Sequence, residues 1–183
     1  MAGYIIIFVL ALAVYYLIMT YNAFVKLRNL VSEAFATMDV YLKKRWDLIP
    51  NLVEVVKGYA AHESGLLESV TSLRNESYDK MSSAEKISAN EKMSAGLSRL
   101  LALAENYPDL KASQNFSDLS AELAKTEGEI AQSRKYYNAV VRNLNTKAEV
   151  FPSSLVANLF GVKKAAMFEA QAEERASVKV ELS

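Results

Sequence analysis

The N-terminal segment is the feature that most limits what this chain can fold into. No Asp, Glu, Lys, Arg or His occurs in the first 25 residues, and residues 4–19 are all apolar or aromatic. A helix over residues 4–21 would be about 25 Å long, slightly short of a hydrocarbon core of roughly 30 Å unless residues 22–25 contribute. A soluble helix is rarely apolar on every face over such a length, so we predict a transmembrane helix that contacts the lipid bilayer through residues 4–21.

The alternative for this segment is a cleaved secretory signal, which has a basic start and a small-residue cleavage site. Residues 1–3 carry no basic side chain, and no Ala-X-Ala pattern follows the apolar run. Tyr4 at one end and Tyr15, Tyr16 and Tyr21 at the other are typical of the aromatic belts of a membrane span. These features favour a retained anchor.

Basic residues follow the apolar run, at Lys26 and Arg28 and again at residues 43–45, and none precedes it. The positive-inside rule therefore predicts that the N-terminus lies outside and that the large domain is cytoplasmic.

The remaining residues number about 160, which suits one domain with its own core. Basic and acidic side chains balance at 21 each, a composition that argues against a nucleic-acid partner. Absence of cysteine excludes disulfides and thiolate chemistry, and six Gly and three Pro leave long stretches uninterrupted. We predict an all-α fold.

One apolar stripe runs from the candidate span into the domain, in alternating steps of four and three residues that are typical of a helical seam. The stripe comprises Leu17, Tyr21, Phe24, Arg28, Val31, Phe35, Met38, Leu42, Arg45, Ile49, Leu52, Val56, Tyr59, Glu63, Leu66, Val70 and Leu73. Pro50 interrupts its hydrogen bonding, so we expect a break or sharp kink near residues 46–50, either a fresh start capped by Asp47 or a kinked continuation.

The next boundaries follow from caps and prolines. This helix should end around residues 75–80, and Ser82 with Glu85 has the spacing of a capping box. A third helix should stop before Pro108, a loop should reach about residue 114, and a fourth helix should run from about Asn115 to Pro152. Four such helices predict an elongated, antiparallel, up-and-down bundle stacked on the anchor.

The C-terminal segment is different, because residues 150–162 carry no charge and Lys163 and Lys164 follow at once. It is too short to span a bilayer, so it either caps the bundle core or lies on a partner or membrane surface. We divide the chain into an anchor (1–25), a bundle domain (26–149) and a C-terminal segment (150–183).

Residues suited to catalysis are scarce. His62 is the only histidine, which rules out a histidine-based metal site, and no phosphate-binding, zinc-protease or nucleophile-elbow motif occurs. We therefore predict no catalytic, cofactor-binding or metal-binding residues.

Charged residues within the stripe point instead to interactions. Arg28, Arg45 and Glu63 take positions where apolar residues are expected; they either reach solvent or are paired, and paired charges often set partner choice. The candidate interaction surface comprises Arg28, Arg45, Asp47, Asn51, His62, Glu63, Leu155 and Phe160.

Several segments together resemble the bacterial LemA family. They are Arg45-Trp46-Asp47-Leu48-Ile49-Pro50-Asn51-Leu52-Val53-Glu54, Val56-Lys57-Gly58-Tyr59 with His62-Glu63, Tyr21-Asn22, Tyr107-Pro108-Asp109-Leu110-Lys111-Ala112, Tyr137-Asn138, and Phe151-Pro152-Ser153-Ser154-Leu155-Val156-Ala157 with Phe160-Gly161. The resemblance covers nearly the whole chain, and Trp46 departs mildly from the tyrosine or related ring usual in the family.

The resemblance implies a single-pass protein of the bacterial cytoplasmic membrane with a four-helix, bromodomain-like domain, and it implies no catalytic activity or cofactor. A magnetosome-forming relative is linked to the shaping of membrane. The leading hypothesis is a membrane-anchored scaffold that forms homo-oligomers and docks unknown protein partners. The alternative is an envelope-associated binding module for a peptide or small ligand, using residues 150–162 or the loop at Tyr107.

Overall fold

The computed structural model describes residues 1–60, 62–72 and 78–168, and within these ranges it contains helices and no strand. This confirms the all-α prediction for the described part of the chain. The helices are α1 (Ala2–Tyr59), α2 (Ser64–Ser72), a short 3-10 turn (Tyr78–Lys80), α3 (Ser83–Ala104), α4 (Pro108–Lys111), α5 (Gln114–Glu149) and α6 (Ser153–Leu159).

Helix α1 passes through Pro50 without interruption, so a break with a fresh start at Asp47 is wrong, and the kinked continuation stays a prediction. An internal proline costs about 3 kcal/mol because a backbone hydrogen bond is lost and the ring crowds the preceding turn. Trp46, Ile49 and Leu52 flank Pro50 and are at most 5% exposed. Burying each of these side chains stabilises the helix by about 1.5 to 3 kcal/mol, and together they outweigh the proline.

The helix then ends earlier than predicted. Its last residue is Tyr59, and a turn in which the Glu63 amide donates to the Ala60 carbonyl separates it from α2. Gly58 and Gly65 lie on either side of this turn, and each lowers helix propensity by about 1 kcal/mol relative to alanine. The predicted helix end at residues 75–80 lies partly outside the described residues.

Local signals located the next helices well. The Ser82 hydroxyl accepts from the Glu85 amide at 3.3 Å and the Glu85 carboxylate accepts from the Ser82 amide at 2.6 Å, so the predicted capping box is confirmed. Helix α5 begins at Gln114 and ends before Pro152, as predicted. The predicted loop before it contains the short helix α4, which starts at Pro108, where a missing N–H is harmless.

Contacts divide the described chain into two compact units. Unit 1 contains residues 1–38 and 132–167, and unit 2 contains residues 39–131 and residue 168. Helices α1 and α5 each contribute to both. This grouping does not test the predicted segments 1–25, 26–149 and 150–183.

Each unit has its own buried side chains. In unit 1, Phe24 of α1 packs with Leu144 of α5 and with Val156 and Ala157 of α6. In unit 2, buried positions come from helices α1 to α5 and from the 3-10 turn, and they include Leu42, Ile49, Leu52, Val56, Val70, Tyr78, Met93, Leu97, Leu100, Leu110, Leu123 and Ile130.

We predict that Ser82→Ala lowers the free energy of unfolding by about 1 kcal/mol, because the first turn of α3 loses its side-chain acceptor. Urea unfolding of the full-length protein in detergent, followed by circular dichroism, measures this change. Ser98→Ala is the matched control, because the Ser98 hydroxyl donates to the Ser94 carbonyl in mid-helix and alanine is favoured there. Equal losses in both variants would contradict the capping role.

Candidate interaction surfaces

Arg45 is the most deeply buried charged side chain among the described residues, at 1% exposure in unit 2. One guanidinium nitrogen donates to the Ser94 hydroxyl at 2.9 Å and to the Glu127 carboxylate. The other donates to the Asn90 carbonyl at 2.7 Å and to the Asn90 side-chain oxygen. Helices α1, α3 and α5 therefore meet around one cation.

This arrangement shows whether Arg45 reaches solvent or is paired, which the sequence leaves open. Arg45 is paired within its own chain, where fixed hydrogen bonds replace the water lost on burial. A contact from Arg45 to another molecule would require these bonds to break. Asn90 and Glu127 were not singled out by sequence reasoning, since a partner 45 or 82 residues away leaves no local signal.

A second polar cluster lies in unit 2 around Tyr78, which is 5% exposed. The Tyr78 hydroxyl donates to Asp39 at 2.6 Å, and the Lys86 ammonium donates to the other oxygen of the same carboxylate at 2.6 Å. The Trp46 ring packs against the Tyr78 ring with centroids 5.3 Å apart. Burial, and secondly the hydrogen bond to Asp39, raises the pKa of the Tyr78 hydroxyl.

The other predicted residues of unit 2 lie nearer solvent. Asp47 is exposed and pairs with Lys43 at 2.7 Å, one turn earlier on α1. His62 is exposed in the turn after α1. Glu63 is half-buried and accepts from the Tyr107 hydroxyl at 3.3 Å. Burial and the Glu63 carboxylate raise the pKa of Tyr107.

Asn51 belongs to an open groove of about 420 Å³ in unit 2, which we call the acidic groove. Its wall contains three acidic residues, of which Glu122 pairs with Lys44 and Asp118 accepts from Gln114 at 2.8 Å. The hydrogen bond from Lys44 lowers the pKa of Glu122. The lining residues are Leu48, Asn51, Glu54, Val55, Asn115, Asp118, Leu119 and Glu122.

Arg28 belongs to a second open groove, in unit 1, with a volume of about 740 Å³, which we call the basic groove. Its lining residues are Tyr21, Val25, Arg28, Asn29, Val31, Ser32, Leu144, Gly161, Lys163, Lys164 and Ala165. The Phe160 ring lies beside it and contacts the Tyr21 ring, with centroids 4.6 Å apart.

Helix α6 has two different faces. Val156 and Ala157 are buried against Phe24 and Leu144, as expected of a segment that caps the core. Leu155 and Leu159 are 62% and 68% exposed, and Phe151 just before the helix is 80% exposed. We call these three exposed side chains the α6 ridge.

Residues 162–168, which we call the strap, follow α6 along α5. Gly161 adopts φ +62°, and the Val162 amide donates to the Ala157 carbonyl at 2.9 Å, which ends α6 in a Schellman turn. The Asn145 side chain then donates to the Ala165 carbonyl and accepts from the Ala165 amide, both at 3.0 Å. These bonds hold Lys163 and Lys164 at the edge of the basic groove.

Helix α1 also has the properties of a membrane span. An 18-residue window near its N-terminus has a mean hydropathy of 2.4 and no buried residue. Among the described residues no group of three or more His, Cys, Asp or Glu side chains could hold a metal ion.

We predict that Glu127→Gln lowers the free energy of unfolding by about 2 kcal/mol, because buried Arg45 loses its charged partner. Glu122→Gln is the matched control on the same helix. Its partner Lys44 is 44% exposed, so solvent screens the pair and we expect a much smaller loss. Urea unfolding in detergent at neutral pH compares the two variants, and equal losses would contradict the pairing of Arg45 in a dry site.

A second prediction concerns alkaline pH. Because the folded state raises the pKa of Tyr78, the unfolded chain releases this proton first, and stability falls as the pH rises above about 10. Tyr78→Phe should make the slope of stability against pH shallower by up to one proton. The variant also loses the hydrogen bond to Asp39. Unfolding titrations between pH 8 and 11 measure the slopes; parallel curves for both proteins above pH 10 would contradict the prediction.

Comparison with known proteins adds the following. The model of the LemA family matches residues 34–182. "Protein LemA" of Metamycoplasma hominis is 26% identical over 181 residues, covering 96% of this chain and 81% of that protein. "Magnetosome protein MamQ 2" of Paramagnetospirillum magneticum is 24% identical, covering 84% of this chain and 66% of that protein. "Magnetosome protein MamQ" of Magnetospirillum gryphiswaldense is 25% identical, covering 83% and 65%. The chain thus spans about two thirds of the length of these magnetosome proteins.

Proposed function

This chain belongs to the LemA family, and from that premise we propose that it is a membrane-anchored, non-enzymatic helical scaffold that self-associates at the bacterial cytoplasmic membrane. The observation that carries the proposal is the continuity of α1. One helix contains both the exposed apolar segment and side chains buried in the domain, from Phe24 to Val56.

The anchor gives the scaffold its location and concentrates it. Residues 4–21 cross the bilayer with the N-terminus outside, and Lys26 and Arg28 hold the following segment on the cytoplasmic side. Confinement to a membrane raises the local concentration of the domains, so weak contacts between copies suffice for assembly.

The domain supplies a stable helical support, which we propose to be an up-and-down four-helix bundle. The bonds from Arg45 to Asn90, Ser94 and Glu127 support close packing of α1, α3 and α5 in unit 2. Buried Leu67 and Val70 of α2 complete the set of four.

The contact surface between copies comprises the exposed members of the candidate interaction surface in unit 2. Asp47, Asn51 and His62 expose polar groups there. Relatives named magnetosome proteins support an extension of the role to organising partners or membrane shape.

Subunit counting in membranes tests the scaffold. The full-length protein is labelled with one fluorophore per chain and reconstituted in membranes at low density. Each fluorescent spot should then photobleach in two or more steps. Dilution into excess lipid should lower the count by mass action. Single-step bleaching at every protein-to-lipid ratio would contradict self-association.

A separate measurement tests the orientation. A reporter fused after Ser183 should be protected from protease added outside intact cells and digested after the cells are opened. Digestion in intact cells would contradict a cytoplasmic domain, while leaving the subunit count unaffected.

The acidic groove favours a second candidate, a binding module for a basic peptide. Glu54 and Asp118 lie in an open groove with Leu48 and Leu119, which suits a segment with alternating basic and apolar side chains. Such a module would bleach in one step and would bind a lysine-rich peptide more weakly after Asp118→Asn, and these results distinguish it from the scaffold.

A further inference from the structure

Unit 1 carries a second contact with lipid besides the candidate span. We propose that the α6 ridge inserts into the bilayer surface beside the span and that the basic groove binds the phosphate of an anionic phospholipid headgroup there. This inference rests on the anchor of the proposed function and is independent of self-association.

The first argument is position along α1. Residues 2–16 are exposed all round, and burial of the helix begins at Thr20, which is 5% exposed, and Phe24. At about 1.5 Å per residue, a hydrocarbon core of roughly 30 Å takes about 20 residues and ends near Tyr21. Phe160 contacts Tyr21, so the C-terminal end of α6 lies at the level where the hydrocarbon ends.

The second argument is the exposed apolar side chains on α6 and just before it. The α6 ridge presents Phe151, Leu155 and Leu159, spaced four residues apart, and Leu155 and Leu159 therefore share one face of α6. The opposite face is used by Val156 and Ala157 in the core of unit 1. Exposed apolar side chains next to basic residues are the combination that binds interfacial elements to anionic bilayers.

The third argument is charge. Arg28 lies seven residues beyond Tyr21, which is about 10 Å along the helix and within reach of the headgroup region. Arg28, Lys163 and Lys164 line the basic groove together with the polar Asn29 and Ser32. Neither residues 20–32 nor residues 150–168 contain an acidic residue, although Lys164 also pairs with Glu149 at the end of α5.

The groove is held in place from the protein side. The Schellman turn at Gly161 reverses the chain after α6, and the two hydrogen bonds between Asn145 and residue 165 fix the strap against α5. The Tyr137 hydroxyl adds a third bond, to the Ala166 carbonyl at 2.9 Å. The main chain that carries the two lysines is therefore held at the groove without a ligand, and this lowers the entropic cost of binding a phosphate.

Together these features favour lipid as the occupant of this surface. The apolar ridge supplies insertion, the guanidinium and ammonium groups supply charge complementarity to the phosphate, and the adjoining span already places both at a bilayer. A protein partner would have to cover the ridge in the space that the headgroups occupy.

Single labels test the proposal, because the chain has no cysteine of its own. The full-length protein carries Leu155→Cys or Leu159→Cys with a polarity-sensitive fluorophore, in vesicles of phosphatidylcholine alone or mixed with phosphatidylglycerol. Iodide quenches labels in water, and brominated lipid quenches labels in the bilayer. Leu10→Cys in the span and Val40→Cys, which replaces an exposed apolar side chain further along α1, are the matched controls.

We expect the Leu155 and Leu159 labels to be quenched by lipid like the Leu10 label and unlike the Val40 label. Phosphatidylglycerol should raise the ratio of inserted to water-exposed label by about fivefold for each engaged lysine. Lys163→Glu should abolish this increase, whereas Lys135→Glu, which reverses an exposed charge on α5, should leave it unchanged.

Each of the following outcomes would contradict one part of the proposal. Iodide quenching of the Leu155 and Leu159 labels, at the level of Val40, would show the ridge in water. Protection from both quenchers would show that protein covers it, and equal quenching in neutral and anionic vesicles would refute the headgroup site. Iodide quenching of the Leu10 label would instead show that residues 4–21 do not cross the bilayer, and this would contradict the proposed function.

Discussion

In the membrane-anchored state that we propose, helix α1 meets lipid and water along one uninterrupted backbone. Within lipid an unpaired amide or carbonyl is very costly, so a helix is the natural way for a single segment to cross. The same hydrogen-bond ladder continues to Tyr59, and some of its side chains from Thr20 onward are buried by other parts of the protein. Even Pro50 does not end it, because the neighbouring side chains are buried. Helices α3, α5 and α6 contact α1 through Arg45 and Phe24.

Burial of Arg45 is the second constraint on the domain. A cation inside a helical core is tolerated only if its donors are used, and here acceptors come from two other helices. Polar bonds have strict geometry, so this cluster favours one register of α1, α3 and α5 over alternatives with similar apolar contacts. A second polar cluster in unit 2 also favours one packing arrangement, through the bonds of Asp39 with Tyr78 and Lys86.

The sequence predicted features with local causes. The candidate span follows from composition, the start of α3 from the capping box at Ser82, and the end of α5 from Pro152. Predictions from the sequence were wrong where contacts between residues far apart in the chain determine the structure. Pro50 suggested a break that buried neighbours prevent, and the unbroken stripe hid the turn after Tyr59. The partners of Arg45 and the two faces of α6 depend on contacts across the fold, which a linear pattern does not contain.

The attachment of the strap has an evolutionary consequence. Asn145 recognises only main-chain groups of residue 165, its N–H and its C=O, and Tyr137 recognises the carbonyl of residue 166. No side chain of the strap takes part in these bonds. Substitutions at residue 163 can therefore change the charge of this surface while these main-chain bonds remain, whereas Lys164 also pairs with Glu149. At residue 163 the charge of the groove and the attachment of the strap can thus evolve separately.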